Sequence, residues 1–301
     1  MGQPSSTHGR RLASYECLVE LRPGGSRPPL FLVCWEGGRL VGYRDLVKRL
    51  PSDMPIYGLR AQRFDRRSAL YPEPRLEELA RAFLSELRRF QPEPPYLLAG
   101  YCFGGTLAHE IARQLEAEGQ PTAFLGLIES SPYGHGQGGN KQQISLLERE
   151  RAKFKKHEYR RRADLVKFAA DRLFGRFSWW RRRLRRLAYR MALNTGASLP
   201  GRLWSLEQLA IQTGMGRYVA PSSNAHITLF EARDPELDPE PTIWSRLARG
   251  GVNTHYVDTA PGTGHLALMK DPYAGRLAEM IGAHVDAALS TSTHTADTSV
   301  A

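Results

Sequence analysis

The sequence predicts an α/β fold with a mostly parallel central sheet, helices on both of its faces and a helical insertion. The first observation is that short apolar runs alternate with stretches of helical periodicity. A strand, a crossover helix and a further strand form a parallel unit, so this alternation indicates a sheet covered on both faces. The second observation is a Gly-rich strand-to-helix corner at residues 100–105, and the third is a basic segment at residues 149–190.

Each element is predicted from its periodicity and from the glycine or proline residues that bound it. Strands are expected at Leu30–Cys34, Ile56–Leu59, Tyr96–Tyr101, Phe124–Ile128, Ile227–Phe230 and Thr254–Val257. Helical segments are expected at Tyr43–Leu50, Leu76–Leu87, Thr106–Leu115, 242–248 and 273–288, with Gly119 as a C-terminal cap.

The domain organisation follows from composition. Residues 15–289 are expected to form one domain, since 301 residues suffice for a sizeable core. A basic helical lid is expected at about 133–217. Residues 1–14 are polar and the segment 290–301 is rich in Ser and Thr without periodicity, so both ends are expected to be disordered.

Composition also excludes several classes of protein. The longest apolar run, Leu30–Trp35, is far too short to cross a bilayer, which takes about 20 apolar residues. The first 30 residues lack the apolar stretch of a secretory signal. Three cysteines, Cys17, Cys34 and Cys102, cannot build a disulfide framework. These features predict a cytoplasmic protein with no transmembrane segment. Because no His or Cys cluster has zinc-ligand spacing, we also expect no structural metal.

The corner at residues 100–105, Gly-Tyr-Cys-Phe-Gly-Gly, has the context of a nucleophile elbow of the form G-x-S-x-G, with Cys102 in the place of serine. The turn is tight, so Gly100 and Gly104 must be small. The dipole of the following helix favours negative charge and therefore the thiolate. A buried, unreactive cysteine is the alternative. His109, two turns along this helix, is interpreted as a core or supporting residue.

A nucleophilic cysteine needs a base and an acid. His265 lies in a Gly-rich loop after the last predicted strand, where such sheets place a catalytic histidine. Glu129 is the favoured acid, because it follows the strand after the elbow and adjacent parallel strands lie about 4.8 Å apart. Asp234, after the next strand, is the competing acid. The order Cys102, Glu129, His265 is the order expected of the α/β-hydrolase fold.

Two N–H donors are needed to stabilise the oxyanion of acyl transfer. The amide of Phe103, directly after the nucleophile, is the first candidate. The second is expected from the turn 34–38, Cys-Trp-Glu-Gly-Gly, and most directly from the amide of Glu36. A plain tight turn is the alternative interpretation of this segment.

These residues resemble the thioesterase domains that accompany polyketide and non-ribosomal peptide synthetases. The resemblance covers about Leu18–Leu289, and the insertion matches in placement alone. The matching blocks are Pro29–Gly38, Tyr57–Leu59, Leu76–Phe90, Pro95–Gly105, Ala108–Ala112 and Pro261–Met269. The resemblance implies an α/β-hydrolase fold, a lid and substrates tethered to a carrier protein. It also supports Glu129, because the family's acid follows the strand after the elbow.

The sequence departs from the family at three places. Cys102 replaces the usual serine, Cys34-Trp35 replaces the usual His-Pro, and Glu129 replaces the usual Asp. A cysteine converts one thioester into another, so the acyl group stays activated for thiol or amine acceptors. We therefore expect Cys102 to take an acyl, aminoacyl or peptidyl group from a phosphopantetheine thioester and pass it to an acceptor. A hydrolytic thioesterase, for editing or chain release, is the alternative enzyme.

The positive charge of the chain is concentrated in one segment. The formal charge is +11, and residues 149–190 alone carry 17 Lys or Arg against four acids. We expect this segment to attract an acidic carrier protein, with Arg181, Arg182 and Arg183 as candidate docking residues. Phosphopantetheine arrives on that carrier, so no cofactor of the protein's own is expected. The segment is expected to belong to the lid, and lying on a membrane surface is the alternative.

Two non-enzymatic functions compete with this interpretation. One is a carrier-binding protein with a decayed site, against which the retained Cys102 and His265 argue. The other is nucleic-acid binding through residues 149–190, where arginines accompany Trp179 and Trp180. No recognised nucleic-acid motif accompanies that charge, so a nucleic-acid partner is not expected. The sequence leaves open the acyl group, the acceptor, the particular carrier and the oligomeric state.

Overall fold

The fold is described from a computed structural model of the chain. It describes residues 17–35, 40–60, 75–132, 218–233, 242–260 and 267–298, the side chains as far as residue 291. The predicted lid at about 133–217 and the predicted disordered N-terminus at 1–14 lie outside these ranges.

Within the described residues, one seven-stranded sheet forms the centre of the fold in the order β1-β3-β2-β4-β5-β6-β7. Its strands are β1 (Leu18–Arg22), β2 (Leu30–Val33), β3 (Ile56–Leu59), β4 (Tyr96–Tyr101), β5 (Thr122–Ile128), β6 (Ile227–Arg233) and β7 (Val252–Asp258). Strand β1 pairs antiparallel with β3, and the other pairings are parallel. The prediction of a mostly parallel sheet is confirmed.

Helices cover both faces of the sheet, as predicted. The α-helices are α1 (Arg44–Arg49), α2 (Leu76–Phe90), α3 (Phe103–Ala117) and α4 (Tyr273–Thr298), and the short 3-10 helices are Val41–Tyr43, Ile243–Arg246 and Ala267–Met269. Helices α2 and α3 pack together on one face, and α1 packs with α4 on the other. None of the helices within the described ranges combines the length and the apolar character that crossing a bilayer requires.

The helical periodicity of α2 corresponds to its burial. The predicted apolar face is buried throughout, at Leu76, Leu79, Ala80, Phe83, Leu84 and Leu87. Fully burying a side chain of this size stabilises the fold by about 1.5–3 kcal/mol for each large residue. The predicted cap after α3 is also present, because Gly119 has a φ of +73° and its N–H donates to the Glu116 carbonyl at 2.9 Å.

The start of helix α3 and the presence of strand β1 differ from the sequence prediction. Helix α3 begins at Phe103, ahead of Thr106, because the elbow places Gly104 and Gly105 in the first turn despite their low helix propensity. Strand β1 is not predicted, because a five-residue edge strand whose residues are buried or partly buried throughout carries little periodicity.

The C-terminal helix extends further than the sequence predicts. Helix α4 continues to Thr298, past Ser290, where the disordered tail is expected to begin. The Ser290 hydroxyl donates to the Asp286 carbonyl at 2.9 Å, and the Thr291 hydroxyl donates to the Ala287 carbonyl at 2.9 Å. These bonds to the preceding turn satisfy the small polar side chains within a helix, and composition does not reveal them.

Candidate active site

The corner between β4 and α3 has the backbone geometry of a nucleophile elbow. Cys102 has φ 54° and ψ −118°, a conformation that costs a non-glycine residue about 1–3 kcal/mol. Two hydrogen bonds oppose that strain. The Cys102 N–H donates to the Ile128 carbonyl at 2.8 Å, and the Gly105 N–H donates to the Cys102 carbonyl at 3.1 Å. The Cys102 side chain is partly exposed at the carboxyl edge of the sheet.

The elbow leaves no space for side chains at its flanking glycines. A Cβ at Gly100 would lie 2.1 Å from the Gly104 carbonyl oxygen, and a Cβ at Gly104 would lie 2.4 Å from the Val33 carbonyl oxygen. Both contacts are with backbone atoms, which cannot move aside without disturbing β2 or α3. Glycine is therefore required at both positions if β4 and α3 are to meet at this angle.

Phe103 is the first residue of α3, and its ring is buried in the core. The N–H groups in the first turn of a helix have no acceptor within the helix. The Phe103 amide therefore belongs to a set of donors next to the Cys102 sulfur, at the positive end of the helix dipole. This position suits an oxyanion donor.

Ser130 supports the elbow from the neighbouring strand. Its hydroxyl donates to the Cys102 carbonyl at 2.8 Å, and its own carbonyl accepts from the Trp244 indole at 2.8 Å. A Cβ at Gly105 would lie 2.4 Å from the Ser130 hydroxyl oxygen, so the two residues fit closely. Sequence reasoning missed Ser130, although its place directly after Glu129 is a signal that could have found it.

Glu129 lies beside the elbow, directly after β5. Tyr101 pairs with Ile128 in register, so Cys102 and Glu129 occupy the next positions along two adjacent strands. Glu129 has φ 49°, and its N–H donates to the Phe230 carbonyl at 2.8 Å. Its carboxylate accepts a hydrogen bond from the Ala232 N–H at the end of β6.

A second carboxyl group lies near Glu129. Glu231 is partly buried at the end of β6, and burial together with the Glu129 charge raises its pKa to about 7. Burial and the proximity of Cys102 and Glu129 also raise the pKa of Tyr101 above its usual range. The strand ends around Cys102 therefore disfavour additional negative charge. The sequence analysis overlooked Glu231, which its place at the end of a predicted strand could have suggested.

Several predicted site residues lie outside the described ranges. These are the base His265, the competing acid Asp234, the oxyanion residue Glu36 and the docking residues Arg181, Arg182 and Arg183. The described chain begins again at residue 267, and Leu268 and Met269 are buried in the core beside α4. No group of three or more His, Cys, Asp or Glu side chains among the described residues could hold a metal ion.

His109 is a core residue, as the sequence predicts. Its ring is fully buried against Trp244 at a centroid distance of 4.8 Å, and its Nε2 lies 2.9 Å from the Ser223 hydroxyl. Burial lowers the pKa of His109 to about 4. It is therefore neutral near pH 7 and lies on the buried side of α3.

Two curated relatives match part of the chain. Malpibaldin synthetase of Mortierella alpina is 37% identical over 117 residues, which are 39% of this chain and 2% of that protein. Atromentin synthetase nps3 of Serpula lacrymans is 32% identical over 119 residues, which are 40% of this chain and 12% of that protein. The chain thus spans a small part of the length of these relatives.

A solved structure matches most of the chain. The NocB thioesterase domain, crystallised as a covalent complex with a fluorophosphonate nocardicin G analogue, aligns with a TM-score of 0.56 at 20% identity, covering 90% of this chain and 99% of that one. This likeness confirms the α/β-hydrolase fold. Residues 28–284 match the family described as the thioesterase domain. Because that match covers most of the chain, the protein belongs to the thioesterase domain family.

Proposed function

We propose that Cys102 accepts an acyl, aminoacyl or peptidyl group from a carrier-protein phosphopantetheine thioester and passes it to an acceptor. The observation that carries this proposal is the position of Cys102. It occupies the strained corner between β4 and α3, at the helix N-terminus and beside Glu129 on the next strand. The two curated relatives named above are synthetases. The matched residues make up 2% and 12% of their lengths.

The reaction proceeds by two displacements. His265, oriented by Glu129, takes the Cys102 proton, and the thiolate attacks the thioester carbonyl carbon. A carbon–sulfur bond forms, and the carbonyl electron pair moves onto oxygen, where the Phe103 and Glu36 amides stabilise it. Collapse of this intermediate breaks the bond to the pantetheine sulfur, which leaves with the proton from His265. An acceptor then gives its proton to His265 and displaces Cys102 in the same way.

Cysteine favours transfer over hydrolysis. Acylation exchanges one thioester for another, so little free energy is lost and the acyl group remains activated. Thiol and amine nucleophiles react with thioesters in preference to water. Acceptors with a thiol or an amine, including a second carrier arm, are therefore the expected partners of the second step.

Intact-protein mass spectrometry with an acyl-loaded carrier tests the first step. The wild type should gain one acyl group in place of one hydrogen, and Cys102→Ala should gain none. Cys17→Ala is the matched control, because Cys17 is a buried cysteine directly before β1. It should be acylated like the wild type. Absence of acyl mass on the wild type that Cys102→Ala lacks would contradict the proposal.

The acceptor decides between transfer and the hydrolytic alternative. The trapped acyl-enzyme is offered water, an amine and a second carrier in parallel. Faster discharge to the amine or the carrier supports transfer. Discharge to water at the same rate in all three would identify a hydrolytic thioesterase. Carrier binding without acyl mass would support a non-catalytic binding protein.

We assign carrier docking to the basic segment on charge alone. Residues 149–190 carry a net charge of +13, and Arg181, Arg182 and Arg183 form its densest run. Reversing these three to Glu should raise the carrier concentration needed for half-maximal rate about tenfold at low salt. Turnover of a small diffusible thioester should not change. Equal loss on both substrates, or tight salt-dependent binding of RNA with indifference to carrier, would contradict this docking role.

A further inference from the structure

A single buried hydroxyl connects the two strands that end at the predicted catalytic residues. Tyr43 lies at the end of the 3-10 helix Val41–Tyr43 and is 1% exposed. Its hydroxyl donates to the Val33 carbonyl at 2.7 Å and accepts from the Tyr101 N–H at 2.7 Å. Both bonds are short, and both partners are backbone groups at the carboxyl ends of β2 and β4.

The register shows why this hydroxyl sits between the strands. Val33 pairs with Gly100, so the Tyr101 N–H is the next donor along β4. In a continuous parallel ladder that N–H faces the carbonyl one residue back on the partner strand. Here the Tyr43 hydroxyl lies between the two groups: it accepts a hydrogen bond from the Tyr101 N–H and donates one to the Val33 carbonyl. Burial raises the pKa of Tyr43 above its usual range, so the hydroxyl keeps the proton that it donates.

This bridge lies one residue before each functional segment. Val33 leads into Cys34 and the turn in which the sequence predicts the second oxyanion donor. Tyr101 leads directly into Cys102. The Tyr43 hydroxyl therefore sets the spacing between the end of β2 and the nucleophile.

Trp35 makes the same region rigid. Its ring packs against Tyr101 at a centroid distance of 5.3 Å. On the other side it leaves no room at Gly42, where a Cβ would lie 2.2 Å from the ring. The residue before Tyr43 and the residue before Cys102 thus contact the same indole. The bridging hydroxyl therefore lies in a closely packed cluster, in which a shift of one residue displaces its neighbours.

We propose that Tyr43 is a positioning residue for carbonyl attack, because its hydroxyl fixes the end of β2, after which the predicted oxyanion donor follows in the sequence, relative to Cys102. The inference rests on the proposed function. Charge develops on the carbonyl oxygen during attack on a thioester, so donors displaced by less than 1 Å stabilise that charge less well. Alkylation of the same thiolate by iodoacetamide forms no oxyanion. The two reactions of one sulfur therefore separate donor positioning from thiolate formation.

The test measures both reactions at Cys102 in wild type and Tyr43→Phe. Acylation by an acyl-carrier is followed by rapid quench and intact-protein mass spectrometry across carrier concentrations. The maximal acylation rate of Tyr43→Phe should fall about 10- to 100-fold, with the half-saturating carrier concentration unchanged. Its rate of alkylation by iodoacetamide should equal that of the wild type.

Tyr96→Phe is the matched control. Tyr96 is also fully buried, and its hydroxyl donates to the Pro92 carbonyl at 2.9 Å, at the amino end of the same strand β4. Its removal deletes a partly buried tyrosine hydrogen bond at the other end of β4, away from the elbow. Tyr96→Phe should therefore be acylated at the wild-type rate once both variants are compared below their unfolding transitions.

Each outcome decides a different claim. Acylation of folded Tyr43→Phe at the wild-type rate overturns the positioning role and leaves the proposed function intact. Equal loss of acylation and alkylation, or the same loss in Tyr96→Phe, also overturns it, because the effect is then general. Absence of acylation in the wild type overturns both claims. Where Tyr43→Phe does not fold, an ester in place of the Tyr101 amide removes one of the two bonds and should give the same selective loss. Unchanged acylation of that ester variant counts against the proposal.

Discussion

Glu110, in the helix that follows the elbow, and Glu129, beside the elbow, differ in almost every physical respect. Glu110 lies in the middle of α3 and is fully buried, with hydrogen bonds from Arg113 at 2.7 and 2.9 Å, Gln114 at 2.8 Å and Tyr218 at 2.8 Å. Glu129 lies at a strand end on a backbone with positive φ, beside Cys102.

Their electrostatic environments explain the difference in role. Burial by itself would raise the pKa of Glu110, but the hydrogen bonds from Arg113, Gln114 and Tyr218 outweigh it, and the pKa lies below its usual value. Its carboxylate binds the Tyr218 hydroxyl and so holds the segment around Tyr218 against α3. The charge of Glu129 instead acts on its neighbours, since it helps to raise the pKa values of Glu231 and Tyr101. Glu110 thus stabilises the packing of α3, and Glu129 is the carboxylate to which we assign the orientation of the base in the proposed reaction.

The largest expected effect is on the acylation rate, and it is expected when Glu129 is substituted. Glu129→Gln should lower the maximal acylation rate of Cys102 about 10²- to 10⁴-fold, because a neutral amide neither orients an imidazolium nor stabilises it. Rapid-quench mass spectrometry measures the rate, and the free energy of unfolding should change little. Asp234→Asn is the paired variant. A large loss in Asp234→Asn together with wild-type behaviour of Glu129→Gln would move the acid to Asp234.

A smaller effect, on stability and not on rate, is expected at Glu110. Glu110→Gln leaves the partly buried Arg113 guanidinium without its anionic partner, which should cost about 1–3 kcal/mol in the free energy of unfolding. Denaturant titration measures it. The control is Glu116→Gln on the same helix, where the carboxylate accepts from the exposed Asn224 N–H at 3.0 Å and should matter by less than about 1 kcal/mol. Equal costs at the two positions would remove the distinction between the buried and the exposed carboxylate.

The smallest effect is pH-dependent and concerns Glu231. Its pKa is 4.5 when unperturbed and about 7 in the fold, so between those values the folded chain holds a proton that the unfolded chain has released. Wild-type stability therefore falls as the pH rises through this window, and the cost is complete above about pH 7. Glu231→Gln removes it and should gain on the order of 1 kcal/mol over wild type at about pH 8, after allowance for partial exposure, and little at about pH 5.

Comparing the two proteins at each pH removes the opposite contribution of His109. The pKa of that side chain is about 4 in the fold against 6.5 unperturbed, so the stability it contributes is lost as the pH falls below about 6.5. This loss is common to wild type and Glu231→Gln. A difference between the two that does not grow between about pH 5 and pH 8 would show that Glu231 is charged throughout.

The features that could be predicted from the sequence are those that depend on a few neighbouring residues. Strands β3 and β4 begin and end where the sequence predicts, because each is an apolar run bounded by proline or glycine. The place of Glu129 beside the elbow also follows from chain order, since β5 comes directly after α3. The places of Ser130 and Glu231 after predicted strands are visible in the sequence, but their interactions with Cys102 and Glu129 cross between strands and could not be predicted from it.

Tyr43 is the clearest case of a residue that local pattern could not identify. Its periodicity marks it as one more apolar position, yet its hydroxyl joins residues that are 10 and 58 positions away along the chain. The positive φ values at Cys102 and Glu129 are equally hidden. Intrinsic preference places such backbone at glycine, and only surrounding hydrogen bonds keep a cysteine and a glutamate there.

The sequence by itself determined the order of strands and helices, the glycines of the elbow and the identity of the sulfur placed there, because periodicity and steric size act over a few neighbouring residues. The tertiary structure alone decided which hydroxyl joins β2 to β4, which carboxylate is saturated and which one perturbs its neighbours. Those properties depend on distances between segments far apart in the chain, and the free energy of a hydrogen bond or a charge is set by the atoms around it after folding.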